Sequence, residues 1–369
     1  MGQNSSIEWT EDTWNPLAGC KEISPGCTNC YAAKMAKRLE AMGQKKYKGT
    51  TRTLANGKVV WTNKINLSQA DLQIPLKRKK PTIYFVNSMS DLFHEDVPDE
   101  FIDAVFAVMA LSGQHTFQVL TKRSERMRDY MLARAESMAP WETAARKLGR
   151  TLVSAGVSLC PVPPSNVWLG VSVEDQQRAE ERIPHLLATP AFVRFLSCEP
   201  LLGSLNLQPW LNSFHCEGCG KIANEACHRE DCCRAPKISH DLNWVIVGGE
   251  SGNESRPMHP YWARSIRDQC VAACLPFFFK QHGEFLASDE ADLCGDDVLG
   301  KGKQGKMNHW WMARDGQVWK EHEAYPKSDE RERRGIELLV RVGKHAAGRT
   351  LDGMIWDQMP TFMGTRIHA

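Results

Sequence analysis

The stretch Ile83-Tyr-Phe-Val-Asn-Ser-Met-Ser-Asp91 followed by Asp99-Glu-Phe-Ile-Asp-Ala-Val-Phe-Ala-Val-Met-Ala-Leu111 decides the fold. Four β-prone apolar residues lead into a polar turn, and then into apolar positions at helical spacing with acids at the favoured, amino-terminal end of the helix dipole. The same rhythm returns at Thr116-Phe-Gln-Val-Leu120, Val167-Trp-Leu-Gly-Val171, Val193-Arg-Phe-Leu196, Trp244-Val-Ile-Val247 and Pro276-Phe-Phe-Phe279. Alternating strands and helices predict a parallel sheet wrapped by helices, with six or seven units forming a partial (β/α) TIM-type barrel. Ser6-Ile-Glu-Trp9 is read as the earliest strand. Pro260 to Cys274 is a second amphipathic helix, with Cys270 and Cys274 one turn apart and read as core packing.

In such a fold the site gathers at the carboxyl ends of the strands. The residues there are Asn87-Ser-Met-Ser-Asp91, Thr121-Lys-Arg123, Ser172-Val-Glu174, Ser197-Cys-Glu-Pro200, Gly248-Gly-Glu-Ser251 and Lys280-Gln-His282. Each alone is ordinary turn chemistry. Their joint placement predicts one mouth.

Trp14-Asn-Pro-Leu-Ala-Gly-Cys-Lys-Glu-Ile-Ser-Pro-Gly-Cys-Thr-Asn-Cys-Tyr31 carries Cys20, Cys27 and Cys30 on one loop. Three thiolates without a nearby fourth leave a coordination position open, which suits an iron–sulfur cluster with one free iron. The competing reading is a structural zinc completed by a distant His or Cys. Gly19 and Gly26, each ahead of a Cys, let backbone approach sulfur, and Pro16 and Pro25 stiffen the loop.

The 369 residues are 42% hydrophobic and 24% charged, enough for one large core with insertions. Net charge is +2, so nucleic-acid contact requires a local patch. Thirteen cysteines at metal-like spacings, behind a polar start without a signal peptide, point to a reducing cytoplasm rather than to disulfides. No apolar run is long enough to span a membrane. Residues 1–285 are read as the barrel, with insertions at 39–80 and 212–240, and 286–369 as an extension packing on it. The first insertion carries Lys45-Lys46, Lys48, Trp61 and Lys77-Arg-Lys-Lys80, a solvated face or a phosphate path. The second holds Cys216, Cys219, Cys227, Cys232 and Cys233 among few apolar residues, as in a zinc knob; a second iron–sulfur cluster would use the same ligands.

The motifs Ile7-Glu-Trp-Thr, Trp14-Asn-Pro, Gly19-Cys20, Ser24-Pro-Gly-Cys27, Asn29-Cys-Tyr-Ala32, Asn87-Ser-Met-Ser-Asp-Leu-Phe93, Trp168-Leu-Gly-Val-Ser-Val-Glu174, Ser197-Cys-Glu-Pro, Val247-Gly-Gly-Glu-Ser251, Phe279-Lys-Gln281 and Gly348-Arg-Thr-Leu-Asp-Gly353 resemble the phage-associated three-Cys-motif family. That group is radical-SAM-like and distantly similar to spore photoproduct lyase. The resemblance implies a [4Fe–4S] cluster on Cys20, Cys27 and Cys30, S-adenosylmethionine on the fourth iron, and a 5′-deoxyadenosyl radical acting on a nucleic-acid base. It further implies Asn87, Ser88 and Asp91 at the methionine end, and Ser172, Glu174, Glu199, Glu250 and Lys280 around ribose, carboxylate or substrate. Six residues separate Cys20 from Cys27 where the common radical-SAM pattern has three, and Asn29 stands where an aromatic is usual. A companion protein and an external electron donor are the expected partners; Lys122, Arg123, Lys77 to Lys80 and the zinc knob are the expected backbone grips. A non-catalytic zinc protein that binds nucleic acid or a partner is the alternative. A metal-dependent hydrolase is disfavoured because His94, His115, His259 and His282 are scattered.

Overall fold

The computed structural model describes residue 5 and residues 7–152, 164–211, 242–288, 309–320 and 327–360. They fall in two compact units, Met1–Ser172 with Glu180–Ser197, and Val173–Ala179 with Cys198–Ala369. The principal strands are β1 (Asp12–Trp14), β2 (Ile83–Val86), β3 (Thr116–Thr121), β4 (Val167–Ser172), β5 (Val193–Cys198), β6 (Trp244–Gly248) and β7 (Phe277–Gln281). Tyr84 on β2 lies opposite Asp12 on one side and Phe117 on the other, both in parallel register. Spatial order follows chain order through all seven strands. Without a reversal there is no doubly wound switch point, and the order is compatible with a partial β/α barrel.

The helices fall where parallel neighbours need crossovers. They are α1 (Tyr31–Ala41), α2 (Asp99–Leu111), α3 (Ser124–Glu136), α4 (Ala139–Lys147), α5 (Gln176–Leu187) and α6 (Pro260–Ala272). Every residue of β4 is buried, as expected for a strand covered on both faces. Within it, a Cβ on Gly170 would stand 2.6 Å from the Phe195 ring, so glycine there seats the aromatic of β5. On α2, Pro98 precedes Asp99 and Glu100 in the first turn, and the buried side chains include Phe101, Val105, Phe106 and Met109. Phe106 stacks on Trp141 of α4 at 4.9 Å, and fully burying a side chain of this size stabilises by about 1.5–3 kcal/mol.

Two sequence expectations change. Residues 8 and 9 form a turn, closed by Thr10 N–H donating to Ile7 O at 3.3 Å, and the edge strand is Asp12–Trp14 instead. Trp9 is drawn out of the ladder because its ring is buried against Phe85 at 4.7 Å and Phe195 at 6.4 Å. Cys270 is buried as core, whereas Cys274 is exposed: α6 ends at Ala272 and Cys274 adopts φ +52°, leaving the helical face. In residues 39–80 the lysines at 45, 48, 77, 79 and 80 are exposed, on a segment that carries regular structure of its own. It comprises the end of α1, a tight turn at Lys45–Tyr47, the hairpin Thr51–Thr53 with Val59–Trp61, and Asn66–Leu67 paired with Leu17–Ala18.

In the second unit a further sheet begins at Phe285, with β8 (Phe285–Ala287), β9 (His309–Met312), β10 (Val318–Lys320) and β11 (Glu337–Arg341) in the order β8-β11-β9-β10. The tail returns to β7, where Phe279 N–H donates to Trp356 O at 2.8 Å and Phe277 N–H to Gln358 Oε1 at 2.9 Å. Cys216, Cys219, Cys227, Cys232 and Cys233 lie outside the described residues. No helix among the described residues is long and apolar enough to cross a membrane.

Candidate functional site

Three residues after Trp14 the chain pairs Leu17–Ala18 with Asn66–Leu67 and then enters the cysteine loop, so the loop leaves the carboxyl end of β1. Asn15 laces it to the turn after β2: its Oδ1 accepts from Ser88 Oγ at 3.2 Å and from Met89 N–H at 3.1 Å. Ser90 Oγ donates to Leu17 O, Gly19 N–H to Met89 O, and Tyr31 Oη to Ser88 O. Ser88 is thus a lacing residue, and Asn15 is the one the sequence reading passed over. Gly19 is required for a reason other than approach to sulfur. It has φ +103°, and a Cβ there would stand 2.0 Å from Lys64 O.

Cys27 closes a tight turn on Ser24 O at 2.9 Å, and Cys30 N–H donates to Cys27 O at 3.3 Å as Cys30 begins α1. The three residues are half-buried and form no disulfide. Burial pushes the Cys20 thiol up to about 12; the Asp91 charge and the two sister thiols add to this, and Arg123 opposes it. Burial also raises Cys30, against the backbone N–H groups of Ala33 and Ala32 and the Trp61 side chain. With Cys20 and Cys30 both raised by burial, a bound cation would favour their thiolates.

Asp91 holds the floor beside Cys20. Its Oδ1 accepts from Thr121 Oγ1 at 2.7 Å and Phe93 N–H at 3.0 Å, and its Oδ2 from Arg123 Nη1 at 3.1 Å and Lys122 N–H at 3.2 Å. Both oxygens are committed to the fold, so Asp91 positions rather than contacts. Arg123 also donates from Nε to Glu95 Oε2 at 3.0 Å, while its buried Nη2 has no partner among the described residues. Only 9% of the Arg123 side chain is exposed, which places it inside the site and not on a nucleic-acid backbone. Asn87, φ +62° and 3% exposed, likewise keeps both Oδ1 and Nδ2 without a partner among the described residues. Orphaned buried donors and acceptors are costly, and a bound polar ligand satisfies them. Asn87 was expected from its strand-end position; the inward turn of Arg123 has no sequence signal.

The remaining expected residues are distributed between the units. Ser172, in the first, is buried, and its carbonyl accepts from Arg182 Nη1 at 2.7 Å. In the second, Glu174 is fully buried, Glu199 pairs with Lys280 at 2.6 Å, and Glu250 takes the Arg256 guanidinium on both oxygens, at 2.6 and 2.9 Å. A Cβ on Gly248 would meet Glu199 and Lys280, so glycine lets that ion pair lie over β6. Among the described residues, no three His, Cys, Asp or Glu side chains are grouped to hold one metal ion.

The profile of the DUF5131 family, described as protein of unknown function, matches residues 4–360, and the chain belongs to that family. No curated protein and no solved structure matches it.

Proposed function

We propose that this protein is a radical-SAM-type enzyme with a [4Fe–4S] cluster on Cys20, Cys27 and Cys30, acting on a nucleic-acid base, with a barrel of the radical SAM kind as its frame. The observation that carries this reading is the placing of Cys20, Cys27 and Cys30 on the one loop after β1, with Cys30 N–H bonded to Cys27 O, and a buried arginine fixed by Asp91 and Glu95 whose Nη2 has no partner among the described residues. The donor set fits: soft sulfur ligands suit iron, and in a cluster each sulfur binds a different iron, so the three need not close on one ion. When bound, the cluster and S-adenosylmethionine supply reductive cleavage to methionine and a hydrogen-abstracting 5′-deoxyadenosyl radical.

The chain's own residues prepare that ligand's place. Asn87 offers one carboxamide donor and one acceptor, and Arg123 Nη2 offers a cationic donor, a pairing suited to an amino acid's carboxylate and amine. Asp91 and Glu95 fix the guanidinium so that no freedom is lost when the ligand arrives. Glu199, Glu250 and Lys280 are the residues assigned to ribose or substrate. Lys77, Lys79 and Lys80 are exposed and suited to phosphate, while Arg78 is engaged with Asp12 at 2.9 Å. A zinc site on Cys216, Cys219, Cys227, Cys232 and Cys233, a cytoplasmic setting and a companion protein complete the proposal.

The test is metal analysis after anaerobic reconstitution with iron and sulfide. Wild type takes up four irons and four sulfides at the loop and turns brown; Cys20→Ala, Cys27→Ala and Cys30→Ala each lose that iron. Zinc alone, with colourless protein, favours a non-catalytic binding module.

A further inference from the structure

The helix that begins at Cys30 is built the wrong way out. Its buried side chains are the alanines 32, 33 and 36, while Tyr31, Met35 and Met42 are 55%, 41% and 65% exposed. Tyr31, Met35, exposed Arg38 and Met42 stand at i, i+4, i+7 and i+11, one ridge along the helix and its cap. An amphipathic surface helix normally presents its large apolar side chains to the core. Here burial is served by Ala32 and Ala36 packing with Tyr47 and Met89, and by a partly buried Leu39, while Tyr31, Met35 and Met42 are left exposed. Ile23, on the cysteine loop itself, is 39% exposed as well.

The ridge has a strongly one-signed surround. Between residues 31 and 48 stand six basic side chains and one acid, Glu40, in a chain whose net charge is only +2. Lys34, Lys37, Arg38, Lys45 and Lys48 are exposed around the ridge, Lys37 bonding Glu40 at 3.4 Å, and Lys46 is held on Asp71 at 2.6 Å. An apolar centre of Tyr and Met within a basic rim is the composition of a protein interface, since phosphate backbones need the charge but not the exposed methionines. One helix face is also the size of a small, transient contact of the electron-transfer kind.

We infer that the outer face of α1, Tyr31 to Met42 with its lysine and arginine rim, is the docking surface for an acidic one-electron carrier protein. This rests on the cluster reading, because it is the cysteine loop immediately before the helix that needs the electron. On docking, one electron leaves the carrier's reduced cofactor and enters the oxidised cluster, and the carrier departs oxidised by one. Opposite charge brings the carrier in, and the exposed side chains give it a dry contact beside Cys30.

The experiment titrates oxidised flavodoxin, an acidic carrier, into reconstituted protein by calorimetry at low salt. It compares wild type, Lys34→Glu/Arg38→Glu, Met35→Ser, and a control on another helix and its exit, Lys147→Glu/Arg150→Glu, both exposed. The expected result is binding that weakens about tenfold or more in the charge reversal, as steered interfaces do, and not in the control. A wild type that binds no flavodoxin, or a charge reversal that binds as well as wild type, overturns the proposal. So does a charge reversal that loses only a single-stranded oligonucleotide, which assigns the ridge to nucleic acid. In parallel, dithionite-driven 5′-deoxyadenosine formation is read in all four proteins. Equal yields show an intact cluster in every variant, whereas no product even in wild type counts against the cluster reading and leaves the binding result to stand by itself.

Discussion

Replacing Asp91 by alanine strips a buried guanidinium of its principal partner. The aspartate is 5% exposed and accepts four hydrogen bonds, one from Arg123 itself. Hydrogen bonds to a charged group are worth about 1.5–3 kcal/mol each, but four on one side chain act as a unit and do not add. The better guide is the cost of leaving one member of a buried ion pair behind, about 3–5 kcal/mol. Arg123 keeps Glu95, whose side chain is 47% exposed and screened by water, so the lower half of that range is expected. Asp91→Asn retains an acceptor for Thr121 and Phe93 and loses less. The assay is urea unfolding followed by tryptophan fluorescence, read as the shift in midpoint at unchanged slope. A loss under about 1 kcal/mol for Asp91→Ala would show that Arg123 is held by other means and refute the positioning role.

Gly19→Ala forces a Cβ onto Lys64 O at a left-handed backbone position, and is expected to lower stability by at least about 1–3 kcal/mol and to reduce iron uptake; both are read from unfolding curves and metal content. His259 is neutral in the fold: its Nε2 donates to Gly335 O at 3.0 Å, its Nδ1 accepts from Tyr261 N–H at 3.1 Å, and burial pushes it down to about 4. The unfolded chain therefore binds a proton that the fold refuses between about pH 6.5 and 4, so this contribution is complete above pH 6.5 and is lost toward pH 4, at most about 1.4 kcal/mol per pH unit. A His259→Gln variant whose unfolding midpoint is as steep in that window as wild type contradicts it. Glu95, although burial works against it, is held down at about 2 by hydrogen bonds from Lys21 and Arg123, so its contribution persists above about pH 4.5 and fades only as pH falls toward 2. Glu95→Gln removes that acid-limb component, read from the same midpoints.

The sheet was legible because each strand is a short apolar run ended by a polar turn, and α2 was read with its observed bounds because Asp99 and Leu111 mark both ends. The first strand was not legible. Asp12-Thr-Trp14 is short, and the more apolar-looking Ile7-Glu-Trp9 pattern conceals that Trp9 plugs the core from a turn. The cysteines announced themselves by spacing, and Asn87 by position. The inward-facing Arg123 was unreadable, since Thr-Lys-Arg after a strand looks the same whether its guanidinium meets solvent or the Asp91 carboxylate from a neighbouring strand end. The inverted polarity of α1 needed the structure to be seen, because Tyr31, Met35 and Met42 alone suggest a core face.

The central claim is met most directly by electron paramagnetic resonance on anaerobically reconstituted protein, reduced with dithionite and mixed with S-adenosylmethionine, with 5′-deoxyadenosine measured in the same samples. A reduced-cluster signal that changes shape on addition of S-adenosylmethionine, with product formed by wild type and absent from Cys27→Ala, is the predicted result. A wild-type sample that shows no cluster signal, or one indifferent to S-adenosylmethionine and without product, contradicts it.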